Sequence, residues 1–190
     1  MAYSDEEILK IKKQIEANKA REEAASETEI TPELEFERRI IEDLEVSVNM
    51  PKQFILLDEE LKRLIYPGAS APKYVYGGEG IKFQLTFNKT EHIVPDSGIK
   101  EFVKLSAQML EAVGPKVRII EKKTIEKEGY NIGVMSFVSR AIDMMVFNYQ
   151  YYVSVDDKLL IGGISFPSKL KKEYMPIAEE IIDSFEIITK

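Results

Sequence analysis

Few side chains in this 190-residue chain have the types and spacing that chemistry requires. The only histidine, His92, lies near Asp96 and Ser97 in sequence. Nucleophilic catalysis needs a hydroxyl held by a base that is itself oriented, and neighbouring positions alone do not build that geometry. His92 therefore reads as a surface or loop residue. The chain contains no cysteine, which removes thiol catalysis, disulfides and zinc–thiolate sites and fits a reducing compartment. Gly77-Gly78-Glu79-Gly80 is glycine-rich, but a phosphate cradle leads from a strand into a helix N-terminus. Here a second strand follows, so the segment reads as a turn. Asp156-Asp157 reads as a hairpin connection, because a calcium loop needs further oxygen ligands at fixed spacing. Asn88-Lys89-Thr90 matches a glycosylation acceptor, which has consequences only in a secreted protein. The acid pairs Glu126 and Glu128, and Glu179 and Glu180, read as solvent-facing. No catalytic residue, metal ligand or cofactor is expected.

The residues that could bind rather than react lie on a strand expected over Met145 to Val155. Phe147, Tyr149, Tyr151, Val153 and Val155 alternate with Val146, Asn148, Gln150, Tyr152 and Ser154, the period of two of a strand with two unlike faces. Asn148, Gln150 and Tyr152 on the mixed face are candidate partner-binding residues. The expected function is a non-enzymatic protein-binding module, an adaptor or chaperone-like factor. The alternative is a small-ligand-binding protein or enzyme using a pocket lined by Tyr149, Tyr151 and Tyr152, although aromatic strands are more often core.

Positioning such residues requires a sheet. Asn131 to Arg140 and Leu159 to Phe166 flank the aromatic strand and are apolar on both faces, as strands covered on two sides are. The short connections at 141–144 and 156–158 make the three antiparallel neighbours. Upstream, Ile41, Leu44, Val46 and Val48 suggest a first strand within 36–50, with a possible helical lead-in, ended by Pro51. Asp58 can cap a short helix to Leu64. Lys73 to Tyr76 and Ile81 to Asn88 form a hairpin, the second with Ile81, Phe83, Leu85 and Phe87 on one face and polar residues on the other. The main helix is expected over Ser97 to Val113, capped by Asp96 or Ser97, with Phe102, Val103, Met109 and Leu110 on its buried side and Gly114-Pro115 as its stop. Val117 to Ile125 adds another strand. Ser168 can cap a short turn, and Pro176 is placed at the first position of a terminal helix that buries Ile177, Ile181, Ile182 and Phe185. One antiparallel sheet of five to seven strands is the expected centre.

The net charge of −7 is unevenly placed. Residues 1–45 carry 14 acidic against 7 basic side chains, and the remainder balances at 19 against 19. A neutral body with an acidic arm argues against nucleic-acid binding, which needs a basic stripe. In the arm, Ser4 and Glu7 have capping-box spacing, and Ile8, Ile11 and Ile15 form a thin apolar stripe on a helix to about Ala25. Such a helix is marginal alone and depends on docking, so these isoleucines are further candidate partner-binding residues. The following Ser-Glu-Thr-Glu-Ile-Thr-Pro-Glu reads as a tether. The organisation is an acidic helical arm and linker over 1–35 and an α+β domain over 36–190. Partners are expected to be another protein, or a second copy through the arm, with neither nucleic acid nor membrane. No secretory leader or 20-residue apolar span is apparent, and a cytoplasmic location is expected.

The order of strand, proline-containing loop, hairpin, long helix, four-strand meander and terminal helix resembles the PsbP/Mog-like family, which includes DcrB-type bacterial relatives. The resemblance rests on Met50-Pro51 through Phe54, Tyr66-Pro67 with Pro72, Lys158-Leu159-Leu160-Ile161-Gly162, and Tyr174-Met175-Pro176-Ile177-Ala178 leading into Ile182-Asp183-Ser184-Phe185. It covers roughly residues 40 to 188. It implies a three-layer α/β/α sandwich with a central antiparallel sheet, whose members usually bind other proteins, and it assigns no site residue.

Overall fold

The computed structural model describes residues 34–66, 71–78, 82–112, 117–141 and 144–188. The arm, with Ile8, Ile11 and Ile15, lies outside the described residues.

Seven strands form one antiparallel sheet: β3 (Ile55–Leu56), β4 (Tyr74–Gly77), β5 (Gln84–Ile93), β6 (Val117–Lys127), β7 (Tyr130–Arg140), β8 (Met145–Val155) and β9 (Lys158–Pro167). Their order across the sheet is β3-β4-β5-β9-β8-β7-β6. The meander of β6 to β9 is thus contiguous, as its short connections require. At the β8–β9 turn Asp156 and Asp157 both have positive φ, 52° and 58°. Two such residues give the turn whose twist matches the flanking strands, and aspartate tolerates that region.

A second sheet was not expected. β1 (Phe36–Ile41) and β2 (Val46–Pro51) form a hairpin, and β10 (Glu186–Ile187) adds to β2. The single strand read over 36–50, with its helical lead-in, is instead two strands folded back through a 3-10 turn at Glu42–Leu44 and a left-handed Glu45. Apolar Ile41, Leu44, Val46 and Val48 hid the reversal, because the turn buries its own leucine and carries no glycine or proline.

Three helices complete the described structure. In α1 (Glu59–Ile65) the Asp58 carboxylate accepts from the Leu61 N–H at 2.8 Å, the expected cap. In α2 (Ile99–Ala112) the buried Ile99, Val103 and Ala107 recur at helical spacing. They pack with Met135, Phe137, Tyr152 and Leu159 of the sheet. Close approach is possible because β7 has Gly133 there: a Cβ would lie 2.4 Å from Val103 Cγ2. Neither expected cap operates on α2. Asp96 and Ser97 sit in a 3-10 turn, and the Asp96 carboxylate accepts from the Asn131 N–H at 2.7 Å and from the Asn131 side chain, tying the helix entry to β7. Met109, read as buried, is 73% exposed. Four residues after Leu105 on the solvent side, it lies beyond the stripe that the sheet can cover.

Helix α3 (Lys171–Asp183) buries Ile177, Ala178, Ile181 and Ile182. Pro176 is not at its first position but inside it, on an exposed side. The helix begins one and a half turns earlier, after a 3-10 turn at Ser168–Leu170 in which the Ser168 side chain makes no cap bond. Phe185, fully buried, follows α3 and meets the Tyr151 ring at 5.6 Å between centroids, while Tyr174 of α3 meets Phe83 and Phe166. Phe102 of α2 meets Tyr152. The two helices thus engage residues of opposite parity on β8 and its neighbours.

Candidate functional site

The strands β5, β9 and β8 alternate with unusual regularity. Leu85, Phe87, Gly162, Ile164, Phe166, Phe147, Tyr149 and Tyr151 are buried, whereas Gln84, Thr86, Ile161, Gly163, Ser165, Asn148 and Gln150 between them are half-buried and Asn88 is exposed. Strand pairing aligns these wetter positions into rows: Gln84, Ser165 and Asn148 in one, Thr86, Gly163 and Gln150 in the next. The result is a strip of neutral amides and hydroxyls crossing three strands.

The next row along is Asn88, Ile161 and Tyr152. Tyr152 is 3% exposed, under α2, and its hydroxyl donates to Gln150 Oε1 at 2.9 Å. Of the three residues singled out on this strand, Asn148 and Gln150 therefore stand in the strip, and Tyr152 braces it from within the core. Asn148 Nδ2 donates to Ser139 Oγ at 3.0 Å, and the Tyr66 hydroxyl donates to Gln84 Oε1 at 2.7 Å. Thr86 Oγ1 donates to the Gly163 carbonyl at 3.2 Å, across a position where a Cβ would lie 2.8 Å from that hydroxyl. Above Gly163 is a shallow hollow of about 150 Å³ bounded by Pro72, Thr86, Asn88 and Gln150.

No group in the strip titrates near neutral pH. Burial pushes the Tyr66 hydroxyl up to about 12, and burial also pushes Tyr152 up to about 12, opposed by a hydrogen bond from Ser106. These side chains can donate and accept hydrogen bonds but cannot serve as an acid–base pair. Gln84, Thr86, Asn88 and Ser165 were not singled out from sequence. Their signal was the alternation of polar residues in 82–88 and of Gly163 and Ser165 with Ile164 and Phe166, which becomes a surface only once the register is known.

Tyr149, Tyr151 and Tyr152 do not converge on a pocket. Tyr149 and Tyr151 are 2% and 0% exposed on one face, and Tyr152 lies on the other. The Tyr151 hydroxyl is enclosed without a hydrogen-bond partner among the described residues. His92 is exposed on β5, and its backbone N–H donates to Thr90 Oγ1 at 3.2 Å.

A larger cleft of about 620 Å³ opens between α2 and the β6–β7 edge, bounded by Lys100, Lys104, Lys122, Asp96 and Glu126. Its charges are of both signs. Lys104 is held by Glu101 at 3.0 Å, and Asp96 is committed to Asn131. Among the described residues no three His, Asp or Glu side chains could hold a metal ion, and no helix is long and apolar enough to cross a membrane.

No protein-family model matches the chain, and no curated protein matches it in sequence. Similarity appears at the level of structure. The solution structure of the cyanobacterial PsbP protein CyanoP, from Synechocystis sp. PCC 6803, superposes with a TM-score of 0.57 at 11% identity, covering 86% of this chain and 99% of that one. LpqN of Mycobacterium tuberculosis, described as involved in cell envelope biogenesis, gives 0.49 at 10% identity over 80% and 90% of the two chains. The first likeness establishes a PsbP-like, mixed α+β fold with a large antiparallel sheet.

Proposed function

We propose that this chain is a non-enzymatic, cytoplasmic protein-binding module, an adaptor or chaperone-like factor, and that the neutral strip on β5, β9 and β8 is where it meets its partner. The observation that carries the reading is chemical. Amides and hydroxyls from Gln84, Thr86, Asn148, Gln150 and Ser165 stand half-exposed together, and such groups recognise other hydrogen-bonding surfaces without transforming them. The hollow within the strip, about 150 Å³, is smaller than the roughly 300–1,000 Å³ of small-molecule pockets, so an extended protein surface fits it better than a compact ligand.

The finer architecture belongs to the same proposal: a three-layer α/β/α sandwich of PsbP/Mog-like type, preceded by a helical arm. Phe102 and Phe185 reaching opposite faces of β8 support the layering. A second reading, a small-ligand binder or enzyme, draws on the cleft of about 620 Å³, whose size suits a ligand.

Affinity capture from native lysate separates the two. Wild-type protein is expected to retain a stoichiometric protein partner that is lost on Thr86→Lys or Gln150→Lys, with the circular dichroism spectrum unchanged. A co-purifying small molecule that survives both substitutions and is lost on Lys122→Ala would favour the second reading and overturn the first.

A further inference from the structure

Strand β6 ends the seven-stranded sheet, and among the described residues it pairs only with β7. Among the described residues no strand pairs with its outer row of N–H and C=O groups, an edge of the kind to which another strand adds. The regular part of that edge is bounded at both ends. A bulge between Ile119 and Glu121 leaves Ile120 out of the ladder, and the turn at Glu128 and Gly129 stops the strand at Lys127. What remains is Glu121-Lys122-Lys123-Thr124-Ile125-Glu126-Lys127, with Thr124 at its midpoint. Register with β7 places Lys122, Thr124 and Glu126 on the face of Met135 and Gly133, the face under α2, and Glu121, Lys123, Ile125 and Lys127 on the other. Glu121, Lys122, Lys123 and Glu126 are exposed.

Laid antiparallel on its own copy about Thr124, this run sets Glu121 opposite Lys127, Lys122 opposite Glu126, Lys123 opposite Ile125 and Thr124 opposite itself. Opposite charges meet at four places by symmetry, and like charges meet nowhere. Other registers fail. A two-fold axis that keeps the faces of both sheets aligned must pass through a residue, because successive side chains alternate faces. Centring it on Lys122 or Lys123 sets that lysine against itself, and centring it on Ile125 sets Lys123 against Lys127. Like charges directly opposite one another oppose pairing.

We propose that the β6 edge is a self-recognition surface whose occupant is a second copy of this chain, joined antiparallel about Thr124 so that two seven-stranded sheets become one. Each copy presents the same patch, as a closed two-fold dimer requires. Charged edges usually guard a sheet against indiscriminate strand addition. Here the mixed-sign pattern disfavours an arbitrary strand and complements its own copy. The ion pair between Lys123 and Glu121, 3.4 Å within one strand, persists in the dimer because both side chains share a face. Lys122, Thr124 and Glu126 also bound the cleft beside α2, so each copy's Glu126 comes to the mouth of the other's cleft.

Sedimentation equilibrium of the full chain at low salt, from micromolar to millimolar concentration, tests the register. Wild-type protein should dimerise, and added salt should weaken the dimer. Lys122→Glu and Glu126→Lys each set like charges opposite one another at two symmetry-related places and should each weaken association by about tenfold or more. The double substitution Lys122→Glu/Glu126→Lys exchanges the signs and should restore the wild-type constant, an outcome that a merely structural role for either residue would not produce. Circular dichroism on all four proteins confirms the fold. The proposal is overturned by a wild-type monomer throughout the range, by single variants that dimerise as wild type does, or by folded double variants that stay as weak as the singles.

Discussion

Tyr151 lies under Phe87 and Phe185, fully enclosed, with its hydroxyl lacking a hydrogen-bond partner among the described residues. An unpaired buried hydroxyl costs roughly 1–3 kcal/mol, so Tyr151→Phe is expected to stabilise the domain by about 1 kcal/mol in urea titrations. A loss of stability instead would show that the hydroxyl has an acceptor. The ring has room because its cross-strand neighbour is Gly162, where a Cβ would fall 1.9 Å from Tyr151 Cζ. That distance is impossible without displacement of the ring or backbone. Gly162→Ala should therefore cost about 1–3 kcal/mol as an overpacked site. In a Tyr151→Leu background the same change should cost less, and a double-mutant cycle that came out additive would contradict the contact.

Among the elements, α2 and α3 differ in what sequence periodicity disclosed. Ile181, Ile182 and Phe185 are buried as the spacing of α3 implied, so Phe185→Ala should lose about 3–5 kcal/mol in a denaturant titration. On α2 the apolar stripe is wider than the contact it makes, and Met109→Ala, at an exposed position, should change stability by less than about 0.5 kcal/mol. Pro176 interrupts α3 from its exposed side, where it can supply no N–H to the Lys172 carbonyl. Replacing an interior proline by alanine restores that bond, so Pro176→Ala is expected to raise the melting temperature, with a gain of about 1 kcal/mol or more after the added freedom of the unfolded chain is counted. A fall would mean that the proline shapes the packing of Ile177 and Ile181.

For the molecule as a whole, buried tyrosines are expected to make stability fall at alkaline pH. Burial raises the hydroxyls of Tyr66, Tyr76, Tyr130, Tyr149, Tyr151 and Tyr152 above their ordinary value of 10.0, Tyr66 and Tyr152 to about 12 and Tyr151 well above 10.0. In each case the folded state holds the proton more tightly than the unfolded state. Their contribution is fully present below pH 10, and stability falls as pH rises from about 10 towards 12 and beyond. Urea midpoints measured between pH 9 and 11.5 should decline, and the decline should be shallower in Tyr151→Phe. An equal slope would place the titrating groups elsewhere.

By itself the sequence determined the meander of three central strands, a short hairpin connection at 156–158, the Asp58 cap, the burial of Phe185 and the α+β class, because these depend on near neighbours: alternation, turn length and capping chemistry. The structure tightened that connection to the two residues Asp156 and Asp157. The sequence also exposed Asn148 and Gln150 as polar residues on an otherwise apolar strand. Tertiary structure alone decided the rest. The pairing of β10 with β2 joins residues far apart in the chain, and no local pattern announces it. Asp96 bonds Asn131 rather than capping a helix, because the fold brings β7 to it. Tyr152 is core and Gln150 is surface, although they are next-but-one on the same face, because α2 covers one row of the sheet and leaves its neighbour open. Register, which sets those rows and the open edge of β6, is a property of two strands together and cannot be read from either one.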